Sequence, residues 1–148
     1  MTTFKSGILF EDTGDTLEWN SSLDQLARRI KSKRVNSAGR ITYDWGLHSI
    51  LNGLSLNLST TVYEVSLAND FGTFKSIEFW AIGDQDAERY LRIILIHLKK
   101  QFGLPTWEKK NGPDETYEWV IEDVAIKLYF FEQHAYKLHL TLSKNNGN

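Results

Sequence analysis

Apolar and polar residues alternate with a period of two along much of the chain. Ile41, Tyr43, Trp45 and Leu47 are interleaved with Thr42, Asp44 and Gly46. The same alternation holds for Leu54, Leu56 and Leu58, then Tyr63, Val65 and Leu67, then Ile77, Phe79 and Ala81. It returns in Tyr117, Trp119 and Ile121, in Val124, Ile126, Leu128 and Phe130, and in Tyr136, Leu138, Leu140 and Leu142. Such a period puts one set of side chains on a covered face and the other on a wetter face, which predicts antiparallel strands. Gly7 to Asp12 predicts a short first strand, ended by the turn-rich Asp12-Thr13-Gly14-Asp15.

Two segments follow a helical period instead. Leu23, Leu26, Ala27 and Ile30 fall at i, i+3, i+4 and i+7, after Ser21 and Asp24 at capping-box spacing. Ser37-Ala38-Gly39 is expected to end this element. In the second segment Ala87, Tyr90, Leu91, Ile94, Leu95, Leu98 and Phe102 form one stripe. Asp84 is its expected N-cap, Gly103 its cap at the other end and Pro105 its stop.

A helix followed by a meander therefore occurs twice, and Thr42-Tyr43-Asp44-Trp45 matches Thr116-Tyr117-Glu118-Trp119 in type. The expected fold is α+β: a curved antiparallel sheet of about seven to eight strands with two main helices packed on one face. One domain, 1–148, is expected, with possible related halves 16–82 and 83–143. The helix from Leu23 to Ile30, the helix end Phe102-Gly103-Leu104-Pro105 and the two Thr-Tyr-acid-Trp strands carry a resemblance. The pattern resembles the tandem helix-plus-sheet fold of β-lactamase inhibitor proteins and small bacterial toxin-immunity proteins. That resemblance implies an inhibitor-like binding role and transfers no site residue.

Composition narrows the chemistry. Hydrophobic residues make up 41% and charged residues 24%, close to globular averages, while aromatics reach 13% with five Trp. The absence of cysteine removes disulfides, thiol nucleophiles and thiolate zinc sites. Met1 to Ser6 shows no basic-then-apolar leader, and the apolar run within Leu91 to Leu98 is too short to span a bilayer. A cytoplasmic location is expected. Net charge is −2, but Arg28, Arg29, Lys31, Lys33 and Arg34 place five cations in seven residues, so the rest of the chain sums to −7.

No motif for catalysis stands out. His48, His97, His134 and His139 lack the spacing of a helical zinc pair. There is no nucleophile elbow and no phosphate loop. His139 is the one histidine on a wetter strand face, within reach of Glu118 or Glu122 if those strands are neighbours. Glu11, Asp12 and Asp15 read as a solvated turn rather than a cation site. The basic cluster reads as a solvated helix end, which makes nucleic acid an unlikely partner. No catalytic residue, metal, cofactor or membrane contact is assigned.

The wetter sheet face is the candidate site. Asp44, Glu64, Glu78, Trp80, Glu118, Tyr129, Phe131 and His139 are expected on it, together with Asn57, Ser66 and Lys127. Aromatic anchors ringed by polar groups describe a protein-binding patch. The expected function is a non-enzymatic protein-binding module, an immunity-type inhibitor that neutralises a cationic toxin or effector domain. The alternatives are a secretion-chaperone-like dimer and a small-molecule-binding protein or enzyme without a recognisable motif.

Overall fold

The computed structural model describes residues 4–63 and 72–145. In chain order the elements are β1 (Gly7–Leu9), β2 (Thr16–Glu18), α1 (Leu23–Arg29), β3 (Lys33–Ser37), β4 (Arg40–Ile50) and β5 (Leu54–Tyr63). β6 (Ser76–Ile82), α2 (Asp84–Phe102), β7 (Trp107–Asn111), β8 (Asp114–Ile121), β9 (Val124–Gln133) and β10 (Ala135–Lys144) follow. The fold is α+β, as the alternation predicts. β1 and β2 form a two-stranded ribbon, and the other strands an eight-stranded sheet ordered β3-β4-β5-β6-β10-β9-β8-β7. The chain divides into two compact units, Met1–Ile77 and Glu78–Asn148. Each holds a helix followed by antiparallel strands.

In the first unit the cap of α1 is Ser22, one residue later than expected, and its side chain accepts from Gln25 N. Leu23, Leu26 and Ile30 are buried, as are Ile41, Tyr43 and Trp45. The helix stops at Arg29, so the basic cluster is divided. Lys33 and Arg34 open the edge strand β3, which the periodicity missed because all five of its residues are exposed. Ala38 and Gly39, expected to end the helix, instead form a two-residue hairpin turn between β3 and β4. Both have positive φ, 47° and 78°, as a type I′ turn demands.

A bulge interrupts β4. The register against β5 shifts between Asp44 and Gly46, Gly46 has φ 86°, and its N–H donates to Asp44 Oδ1 at 3.0 Å. The shift moves every later side chain to the opposite face. Leu47, expected inside, is therefore 63% exposed, and His48 and Ile50 turn inward. β5 runs unbroken from Leu54 to Tyr63, so the expected break before Tyr63 does not occur. Val65, Leu67 and residues 69–71 lie outside the described residues.

In the second unit α2 buries Ala87, Leu91, Ile94 and Leu98. Its N-cap is Gly83, and Asp84, expected as the cap, is the first helical residue. Asp84 Oδ1 accepts from Tyr136 N at 2.9 Å, which ties the helix start to β10. Gly103 closes the helix with φ 83°, its N–H donating to Lys99 O. Tyr117, Trp119, Ile126, Leu128, Leu138, Leu140 and Leu142 supply the core of the sheet. β7 is a second missed edge strand, again exposed throughout. Gly112 (φ 61°) and Pro113 make its hairpin to β8, with Asn111 opposite Asp114.

Candidate binding face of the second unit

The register fixes which side chains share the uncovered face. Cross-strand partners lie on one side of a sheet. Trp107, Glu118, Lys127 and Thr141 form one row, and Lys109, Thr116, Tyr129 and His139 the next. Phe131 and Lys137 pair in the row beyond. Glu78 and Trp80 of β6 join them through His139.

Aromatic rings cover the centre of this face. The Tyr129 and Phe131 rings stack at 4.6 Å. Phe131 meets Trp80 edge-on at 6.3 Å, and Trp80 stacks on His139 at 3.9 Å. His139 Nε2 lies 2.7 Å from Glu78 Oε2, within hydrogen-bond distance. Both partners are mostly shielded, with side-chain exposures of 23% and 20%. His139 thus pairs with Glu78 on β6, not with Glu118 or Glu122. Glu118 faces Lys127, and Glu122 lies in the two-residue turn between β8 and β9. The His139–Glu78 pair holds the imidazole that carries Trp80, and Trp80 itself stays 43% exposed. Each such ring pair contributes about 0.5–1.5 kcal/mol beyond area burial. The cluster is therefore ordered, with Trp80 exposed and Tyr129, Phe131 and His139 half-buried.

The face carries charges of both signs. Glu78, Asp114 and Glu118 share the rows with Lys109, Lys127 and Lys137, so the carboxylates are balanced. Sequence reading missed Trp107, Lys109 and Lys137. Missing β7 hid the first two, although Gly112-Pro113 is a hairpin signal.

Of the other expected site residues, Asp44 belongs to the first unit. There it caps the bulge and faces Lys33 across the ladder. Glu64 and Ser66 lie outside the described residues. The six residues Glu78, Trp80, Glu118, Tyr129, Phe131 and His139 are brought onto one face.

The first unit holds a second polar cluster, built from the turn the sequence left as solvated. Glu11 accepts from Asn52 N at 2.7 Å, Gly53 N at 2.9 Å and Ser49 Oγ at 3.2 Å. Asp12 accepts from Ser49 N at 2.9 Å and faces His48 Nδ1 at 3.0 Å. The Ser49 N–H is the main reason the Asp12 carboxyl is held below its ordinary range. Burial opposes it, and its own N–H and His48 reinforce it. Phe10 stacks on His48 at 3.9 Å, and His48 Nε2 lies 2.9 Å from Trp45 O. With every polar atom engaged, this cluster clamps the β4–β5 hairpin. Beside it a cavity of about 490 Å3 is lined by Ile30, Trp45, Leu47, His48, Lys31 and Lys33. Among the described residues no group of three or more His, Asp or Glu is gathered to hold a metal. None of their helices is long and apolar enough to cross a membrane.

No family model, curated protein or solved structure matches this chain.

Proposed function

We propose that the protein is a non-enzymatic protein-binding module, an inhibitor of the immunity type that neutralises a toxin by covering it. One observation carries this reading: the ordered ring cluster Tyr129–Phe131–Trp80–His139 on the sheet of the second unit, with Trp80 exposed at its centre. Exposed aromatics held in place cost little entropy on binding and anchor protein interfaces. Because lysines balance the carboxylates of this face, the partner is recognised there by ring burial rather than by acidic steering. A cationic partner remains the expectation from the −7 remainder alone. The test is capture from the native host with wild-type protein and Trp80→Ala as baits. A stoichiometric protein retained by wild type and lost with Trp80→Ala supports the reading. Equal capture by both baits, or no stoichiometric partner, overturns it.

The cavity of about 490 Å3 in the first unit favours a second reading, a small-molecule-binding protein. Its size lies within the range of ligand pockets, and its floor of Ile30 and Trp45 is apolar. A chaperone-like dimer has no comparable observation in its favour.

A further inference from the structure

We propose that the edge strand β3 pairs with β3 of a second copy of this chain, antiparallel and centred on Val35. β3 stands at the end of the strand order and all of its residues are exposed, so among the described residues no strand covers its outer side. The hairpin decides which backbone groups point outward. A two-residue turn closes on a hydrogen-bonded pair, here Ser37 and Arg40, and such pairs alternate along the ladder. Ser37, Val35 and Lys33 therefore direct their N–H and C=O groups to β4. Arg34 and Asn36 point theirs outward. With Val35 opposite the partner's Val35, Arg34 faces the partner's Asn36 and Asn36 faces the partner's Arg34. Each of these pairs then exchanges both of its main-chain bonds, and every outward group is used.

The side chains suit that register. Val35, 43% exposed, meets its symmetry mate in a non-hydrogen-bonded pair, where side chains approach most closely. It extends the β-branched row of Thr42 and Thr61. Lys33 faces the partner's Ser37, so no like charges are opposed. Each cation of the strand also has its own acid: Lys33 faces Asp44 across the ladder, and Arg34 meets Asp24 at 3.5 Å. A centre at Arg34 would oppose two arginines, and one at Asn36 would leave Arg34 facing the turn. The other edge strand differs. β7 is closed by a two-residue turn with Asn111 opposite Asp114, so Glu108 and Lys110 point outward. A centre at Glu108 opposes glutamates, and one at Lys109 or Lys110 opposes lysines. Like charges thus guard β7 in every such register, as edges commonly require, and none guards β3 in the Val35 register. This pairing concerns assembly through the first unit. It is independent of the ring face on the second, and failure of one leaves the other intact.

The cysteine-free sequence makes the test clean. The single variants Val35→Cys, Lys33→Cys and Lys109→Cys are exposed to glutathione disulfide, and covalent dimer is followed with time. Only Val35→Cys places its two sulfurs across the symmetry centre, at a Cα separation of about 4.5 Å that a disulfide can bridge. It should cross-link at least about tenfold faster than the other two. Wild-type chain should sediment as a reversible monomer–dimer mixture somewhere between about 10 μM and 1 mM, the weak range that so short an interface allows. Asn36→Pro removes an outward N–H that β4 does not use, so the first-unit amide signals should stay in place while dimer is lost. Val35→Lys, which opposes like charges at the centre, should also give monomer. Equal cross-linking by the three cysteine variants would overturn the assignment. So would a wild-type monomer throughout that range, or dimerisation of Asn36→Pro and Val35→Lys as strong as that of wild type.

Discussion

Thr60 is a buried polar residue of the first unit's core, 2% exposed. Its hydroxyl accepts from Trp45 Nε1 at 3.0 Å and donates to Ser76 O at 2.7 Å, so one side chain satisfies two buried groups. Thr60→Val keeps the volume and removes both bonds. The expected loss is about 1–3 kcal/mol in urea unfolding, because a buried indole N–H is left without an acceptor. Trp119, the matching tryptophan, donates instead to the backbone oxygen of Gly103, a partner no side-chain substitution removes. Asp12 makes a second prediction. Its carboxyl lies below the ordinary 3.8 when folded, so the unfolded chain binds the extra proton. Its stabilising effect is complete above the unfolded pKa and is lost as pH falls through the folded pKa. Asp12→Asn should flatten the acid limb of a stability-against-pH curve and leave its slope above pH ~5 unchanged. An unaltered acid limb would show that the clamp does not depend on this charge.

At the scale of elements, what the sequence revealed was decided by burial. β8, β9 and β10 alternate cleanly, since one face is core and the other is not. β3 and β7 are edge strands exposed on both faces, so no period marks them. Their only signals were the turns Ala38-Gly39 and Gly112-Pro113. The bulge at Gly46 was equally silent, since Leu47 continues the alternation in letters while the backbone breaks it. Half of the binding face was legible as alternate residues of β6, β8, β9 and β10. The His139–Glu78 pair was not, because it depends on β6 lying beside β10, a strand order that periodicity does not encode. Turn conformation gives two opposite predictions. A Cβ on Gly46 would meet no atom within 4 Å, but its φ of 86° is costly for any other residue. Gly46→Ala should therefore destabilise by about 1–2 kcal/mol through torsion alone. Glu122 and Asp123, with φ of 50° and 65°, form a type I′ turn without glycine. Asp123→Gly should stabilise the protein by about 0.5–1 kcal/mol, visible as a higher Tm.

For the molecule as a whole, the two units act as an internal comparison. Both place a Thr-Tyr-acid-Trp run in the strand that follows an exposed edge strand, and both bury its Tyr and Trp. Tyr43 donates to Asp24 at 2.8 Å, and Tyr117 donates to Glu115, so each phenol is held by a carboxylate. Burial, reinforced by Asp24, raises the Tyr43 pKa to about 12, so its proton stays in place. Shared residues of this kind belong to the fold, and residues that differ at matching positions are free to serve function. β5 carries Ser59 and Thr61 where β9 carries Lys127 and Tyr129, and Thr42 and Thr61 join hydroxyls at 3.2 Å in place of a ring. The double variant Lys127→Ser, Tyr129→Thr gives β9 the surface that β5 already tolerates. Its expected stability cost is no more than about 1.5 kcal/mol, the worth of the lost stack on Phe131. Capture of a protein partner should nevertheless fall at least about tenfold, since a ring and a cation leave the centre of the face. Calorimetry and quantitative pull-down on the same preparation separate the two effects. If unfolding rather than capture accounts for the loss, the rings belong to the architecture and the binding face must be sought elsewhere.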